Sequence, residues 1–199
     1  IAACQNKQVP DTWNVGDSCM MAFGKKNYQI DIIGKNHDDY ADGSGKAPLT
    51  FQMHTCYATE YKMNNSGSNT GGWADCLLRT TGGFKIIKSK MPAEVVAALK
   101  AVTKKTTAGG ASSAIDTTED TLFLLSEIEV QGTRTHSYAG EGTQYAYYQT
   151  AANRKKNRAW YLRSPRISST TCFCRTGWSG EADWSVASEV DGIAAAWCF

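Results

Sequence analysis

Several clusters along this 199-residue chain carry side chains of the kind that do chemistry. His54 and Cys56 stand two apart, so in a strand they share a face, an imidazole beside a thiol nucleophile. No orienting third group or oxyanion site accompanies them in the sequence. Glu127, Glu129 and Glu141 are carboxylates of the type that pair for glycoside cleavage, and equally of the type that cap helices or face solvent. Residues 37–42, "HDDYAD", hold an imidazole and three carboxylates. They lack the ligand spacing of a calcium loop, so a solvated loop is expected. Residues 42–48, "DGSGKAP", lack the first glycine of a phosphate loop, and Ala47 stands where Ser or Thr would hold magnesium. Phosphate binding is not expected there. Residues 151–163, "ANRKKNRAWYLR" with its leading alanine, interleave bases with aromatics as single-strand binders do. A net charge of +2 argues instead for a solvated basic loop and against nucleic acid as a partner.

The densest mixed chemistry lies at the end, residues 160–199. Trp160, Leu162, Phe173, Trp197 and Phe199 can anchor strands, and Gly180 and Gly192 permit tight turns. Arg163 before Ser-Pro suggests a strand end held by an internal ion pair or backbone bonds. Residues 166–171, 175–179 and 181–191 are then expected to be loops on one platform, carrying Arg, Ile, Trp, Asp, Glu and hydroxyls. Aromatic side chains give contact area at low entropic cost, and Arg gives hydrogen bonds and stacking. Composition alone leaves two readings open, a recognition surface or simply variable surface loops.

The elements that must position these residues read as α+β. Period-2 patterning in "NYQIDIIGKN" puts Tyr28, Ile30 and Ile32 on one strand face, with "DSCMMAF" as a hairpin partner and "LTFQMHTC" as a further strand. Helices are expected at 56–64, within "GGWADCLLRT", and in "MPAEVVAALKAVTKKT". In the last, Pro92 stands at the first turn, Val95, Val96, Leu99 and Val102 form the apolar stripe, and Lys104 and Lys105 close the end. "TAGGASSAIDTTED" is expected to be a flexible loop. "TLFLLSEIEVQG" begins as a buried strand, with Ser126 capping a short helical turn that opens with Glu127 and Glu129. A short helix and a basic loop follow in "GTQYAYYQTAANRKKN". Short strands are expected in "AWYLRS", "CFCRT" and "IAAAWCF". No linker divides the chain, so residues 1–199 are expected to form one domain.

Composition agrees with a globular protein: 42% hydrophobic, 20% charged, 18 glycines and only 4 prolines. The seven cysteines show neither CxxC nor zinc spacing, and reduced, mostly buried thiols are expected. No apolar run reaches bilayer length and no signal peptide is seen at the start, so no membrane insertion is expected. No cofactor is implied.

In order along the chain, "GGWADCLLR", "LFLLSEIEV", "AGEGTQYAYY" and "WYLRSP" followed by "FC", Gly and "GIAAAWCF" resemble a family of gut bacterial and phage proteins. The C-terminal segment of that family is diversified by diversity-generating retroelements. The likeness runs from Trp13 to the end. It implies a C-type-lectin-like fold, in the branch that includes the formylglycine-generating enzymes. It also implies a ligand-binding protein rather than an enzyme, displayed on a phage tail fibre or a bacterial surface, whose ligand is a protein or glycan on a target cell. A homo-oligomer is compatible with it. The family's tail frame corresponds to Trp160, Arg163-Ser164-Pro165, Phe173-Cys174, Gly180 and residues 192–197. Ala195 stands in place of the usual Pro, Thr176 of Val, and Trp197 of Phe. The resemblance assigns ligand contact to the positions between: Tyr161, Arg166, Ile167, Ser169, Thr171, Arg175, Trp178, Glu181, Asp183, Trp184, Ser188 and Glu189. Trp178, Trp184, Glu181 and Glu189 are not reachable from asparagine codons by adenine change and need other template codons or are fixed. Two alternatives stand beside this: an enzyme of the related fold, either a formylglycine-generating-type oxidase using cysteine or a hydrolase, which a cleft lined by Cys172 and Cys174 would favour; and a structural domain of a fibre.

Overall fold

Alternating side chains and a two-residue turn at Gly24-Lys25 start the fold. The computed structural model describes residues 1–199 and opens with a one-turn helix, α1 (Ala2–Gln5), before the hairpin of β1 (Ser18–Phe23) and β2 (Lys26–Lys35). Gly24 takes φ +62°, a left-handed value that favours glycine at this turn. β3 (Leu49–Met53) pairs antiparallel with β2 as the pattern in its sequence predicts.

Four short helices follow: α2 (Gly72–Asp75), α3 (Leu77–Thr80), α4 (Gly83–Lys90) and α5 (Ala93–Ala98). They bury Trp73, Leu78, Phe84, Ile87 and Val95. The segment 56–64 is not helical; it runs as bends, with Tyr61 bridging Asp191. α5 stops at Ala98, earlier than expected. Residues read as a helix end and a flexible loop instead form a hairpin, β4 (Val102–Gly109) and β5 (Ser112–Asp120). Val102, Lys104 and Thr106 alternate inward, a period-2 pattern that the preceding helical stripe obscured.

α6 (Glu127–Gln131) has the expected cap. Ser126 Oγ accepts the Glu129 amide at 3.2 Å, and the Glu129 carboxylate accepts the Ser126 amide at 2.9 Å. Two 3₁₀ turns, Ala146–Gln149 and Ala151–Arg154, lead into β6 (Trp160–Pro165), β7 (Cys172–Thr176) and β8 (Ala182–Val186), and β9 (Ala196–Cys198) ends the chain. β8 lies inside a stretch expected to be loop. The sheets are β1-β2-β3-β9, β4-β5 and β6-β7-β8, all antiparallel. One buried apolar cluster of 42 residues joins them, so a single core holds the fold. Six of the seven cysteines are buried and all are free thiols.

The middle of this core is polar. Arg163 is fully buried and donates to both oxygens of Glu129 at 2.5 and 2.9 Å. Its remaining donors reach Thr106 Oγ1, Leu124 O and Glu141 O. Lys104 lies between Asp38, Glu129 and Tyr145. Burial alone would raise the Asp38 and Glu129 carboxyls. The buried cations override it, and Asp38 is held down at about 2. Such a network is tolerable inside a protein only because every member is paired.

Candidate functional site

β6 is buried at all six positions, because β7 pairs along it, the β4 hairpin packs against it, and Leu125 O accepts the Arg163 amide at 2.8 Å. Its ladder with β7 is broken between Tyr161 and Pro165, where β6 carries extra residues that turn Arg163 inward to Glu129. β7 and β8 then pair in regular register: Cys174 faces Trp184, and Arg175 faces Asp183.

That register divides the expected contact residues. Asp183 and Trp184 are neighbours on β8 and point to opposite faces. On one face the Arg166 guanidinium lies over the Trp184 ring at 4.4 Å. Arg166 makes no ion pair, and its Nε has no hydrogen-bond partner. Ile167 and Trp184 are each 39% exposed. On the other face Arg175 donates to Asp183 at 2.8 Å and to Asp191 at 3.0 Å. Burial raises Asp191 even so, since the attraction of Arg175 does not fully offset it. The twelve residues therefore do not share one face, as a single platform would require.

Two of the twelve do not present a side chain for contact. Tyr161 is fully buried, and its hydroxyl donates to Val186 O at 2.7 Å and Glu189 O at 3.1 Å, because its strand runs through the core. Ser169 is turned inward, its Oγ accepting the amides of Thr171 and Cys172 at 3.2 and 3.1 Å. Thr171, Trp178, Glu181 and Glu189 are exposed, and Ser188 is half-buried. Trp178, in the β7–β8 turn, is 67% exposed. Glu181 accepts the Ser179 amide and hydroxyl at 3.0 and 2.6 Å, which holds that turn and its carboxyl below the usual range.

Two buried side chains support the Arg166 loop without any signal in the tail itself. Asn69 Nδ2 donates to Ser169 O at 3.0 Å and Cys172 O at 2.7 Å, while its Oδ1 accepts the Gly110 amide at 2.8 Å. The Glu127 carboxylate accepts the amides of Thr135, His136 and Ser137, and His136 O accepts the Ile167 amide at 2.6 Å. "SNTGG" in the first case was a turn signal that names no partner 100 residues away.

The other candidates have structural occupations. Glu141, pushed up by burial, accepts the Thr107 amide and hydroxyl at 2.9 and 2.8 Å. Glu127 and Glu129 are consumed as above. Asp42 accepts the Ser44 amide at 2.9 Å and so closes a turn. His54 does have an orienting group, Asp31, with Nδ1 to Oδ2 at 2.6 Å, but burial pushes the Cys56 thiol up to about 11. Burial likewise pushes Cys174 well up, so neither thiol is a thiolate at neutral pH.

The fold is thus mixed α+β, mostly antiparallel, with short helices and extensive loop. The chain belongs to the family of the domain of unknown function DUF6273, which matches residues 47–198. No curated protein and no solved structure matches the chain. None of its helices is long and apolar enough to cross a membrane.

Proposed function

We propose that this is a ligand-binding protein of C-type-lectin-like fold, in the branch of the formylglycine-generating enzymes, with a C-terminal site diversified by a retroelement. It serves as a receptor-binding adhesin on a phage tail fibre or a bacterial surface and takes a protein or glycan ligand. The observation that carries the proposal is the division of labour along one segment. Trp160, Arg163, Phe173, Cys174 and Trp197 are fully buried, while ten of the twelve intervening candidates are exposed or half-buried. Arg166 stacked on Trp184 supplies a cationic and aromatic surface with no acidic partner to neutralise it. Large aromatics and Arg are what concentrates binding energy at interfaces.

The test is binding to a panel of target cells and a glycan array by the wild type and by a variant carrying Arg166→Ala, Ile167→Ala, Trp178→Ala and Trp184→Ala. Loss of binding with an unchanged melting curve is expected. Full retention of binding, or collapse of the fold, overturns the assignment of this surface.

A further inference from the structure

Seven arginines stand in the chain, and five have partners for their side chains. Arg79 pairs with Asp120, Arg158 with Glu60, Arg163 with Glu129 and Arg175 with Asp183, while Arg154 donates to Gln131 at 3.1 Å. Arg134 and Arg166 have none. These two stand on neighbouring loops, tied where His136 O accepts the Ile167 amide at 2.6 Å. Both loops are fixed before any ligand arrives. The amides of residues 135–137 close on the Glu127 carboxylate, and the Arg166 amide donates to Cys172 O at 2.9 Å. The Arg166 guanidinium is stacked on Trp184, which uses its flat face and leaves the in-plane terminal N–H groups free to donate.

Four segments build the surface around them: residues 66–72, 109–115, 132–140 and 166–173. Asn69 joins Ser169 O to the Gly110 amide, the Ala111 amide donates to Ser169 O at 3.2 Å, and the Tyr138 hydroxyl donates to Ala111 O at 2.9 Å. None of the four contains Asp, Glu or Lys. Glu127, beneath them, is buried and both of its oxygens are taken by backbone amides. Arg134 and Arg166 are therefore the only permanent charges these segments carry. Exposed hydroxyls accompany them, from Thr70, Ser113, Thr133, Thr135 and Thr170.

We infer that this surface takes an acidic glycan, with a carboxylate or sulfate of the sugar held by Arg166 and with Arg134 adding a second positive charge to the field. The inference rests on the ligand-binding reading above and names the class of ligand. A planar guanidinium presents parallel N–H donors that match two oxygens of one anionic group. Pre-fixed loops and a stacked side chain leave little freedom to be lost on binding. Each hydroxyl both donates and accepts, as the hydroxyls of a sugar do. An acidic protein fits less well, because protein interfaces concentrate their energy in a buried apolar centre. Here the apolar contribution is Ile167 and Trp184, each 39% exposed. The apolar groove of the molecule, about 580 Å³, lies instead on the β1-β2-β3-β9 sheet, lined by Cys19, Met21 and Phe51 among others.

The test is binding of the full chain to immobilised alginate, dextran sulfate, neutral dextran and poly-glutamate, in low and high salt. Binding to alginate or dextran sulfate that weakens with salt is expected, and none to dextran; the two acidic polymers separate carboxylate from sulfate as the group recognised. Arg166→Ala is expected to weaken binding about tenfold or more, with unchanged melting. Arg166→Lys, which keeps the charge but not the fork, is expected to recover only part of the loss. Arg134→Ala is expected to cost less, mainly in low salt. Lys85→Ala, which removes an exposed charge on α4, is expected to bind as the wild type does. No binding to either acidic glycan, poly-glutamate bound as tightly as the glycans, an unchanged Arg166→Ala, or an equal loss in Lys85→Ala overturns the inference. If neither acidic glycan binds while the fourfold variant above still loses its target cells, the ligand class falls and the recognition reading stands.

Discussion

Arg163 and Arg175 stand twelve residues apart on neighbouring strands, and each is paired with carboxylates. Arg163 is sealed in the core against Glu129, with the Thr106 hydroxyl and backbone carbonyls taking its remaining donors. Arg175 sits a quarter exposed between Asp183 and Asp191. Water screens the second pair and can replace a lost partner; it can do neither for the first. The inner arginine therefore fixes how β6, α6 and the β4 hairpin fit together. The outer one only tidies the loops at the edge, which is the condition for that edge to change sequence without loss of fold.

The comparison breaks first at Arg163. Arg163→Leu leaves Glu129 buried with only Lys104, at 3.3 Å, to balance it and is expected to cost about 3–5 kcal/mol. Urea denaturation would register this as a lower midpoint with an unchanged slope. Changing both members, Arg163→Met with Glu129→Gln, is expected to recover much of the loss; no recovery would mean that geometry around β6, rather than the stranded charge, sets the cost.

Acid attacks the same network. Asp38 has its folded pKa depressed to about 2 from an ordinary 3.8. Its contribution to stability is therefore complete above pH 4 and lost as pH falls towards 2. In Asp38→Asn that part of the acid sensitivity should vanish, and melting temperatures recorded from pH 5 to pH 2 would reveal a shallower decline than in the wild type.

At the outer pair the effects shrink. Asp183→Ala leaves Arg175 with Asp191, and the loss is expected to be about 0.2–1 kcal/mol, diminishing in high salt. A value near that of Arg163→Leu would erase the distinction between the two arginines. Smallest of all is the stack of Arg166 on Trp184. A double-mutant cycle to Ala is expected to give a coupling of about 0.5 kcal/mol, with each single change of similar size. Thermal melts of the four proteins would measure it.

Where local pattern and burial agreed, the fold was readable. Alternation in "NYQIDIIGKN" gave β2, "LTFQMHTC" gave β3, and Ser126 with Glu129 gave the capped α6. The same logic failed at residues 102–120. Val95, Val96, Leu99 and Val102 continue a helical stripe, yet the chain turns into a strand after Ala98, and Lys104 points inward to Asp38. Lysine inside a core has no local signature; its counter-charges come from 66 residues upstream and 25 downstream. β8 was missed because an edge strand half in water does not alternate cleanly. Ten of the candidate side chains, from Arg166 to Glu189, are exposed or half-buried. Tyr161 and Ser169 are buried instead, because exposure depends on what packs over a strand rather than on its neighbours in sequence.

By itself the sequence determined the α+β class, the main hairpin, the capped helix, the reduced thiols and the anchoring residues of the closing segment. Each follows from interactions within a few residues or from the burial tendency of one side-chain type. Tertiary structure alone decided that Arg166 meets Trp184 while Arg175 meets Asp183, that Asn69 and Glu127 hold the loop beneath them, and that β9 is covered by Phe123 and Lys100. Those outcomes depend on strand register and on long-range pairing, where a shift of one residue would exchange the two faces and every neighbour with them.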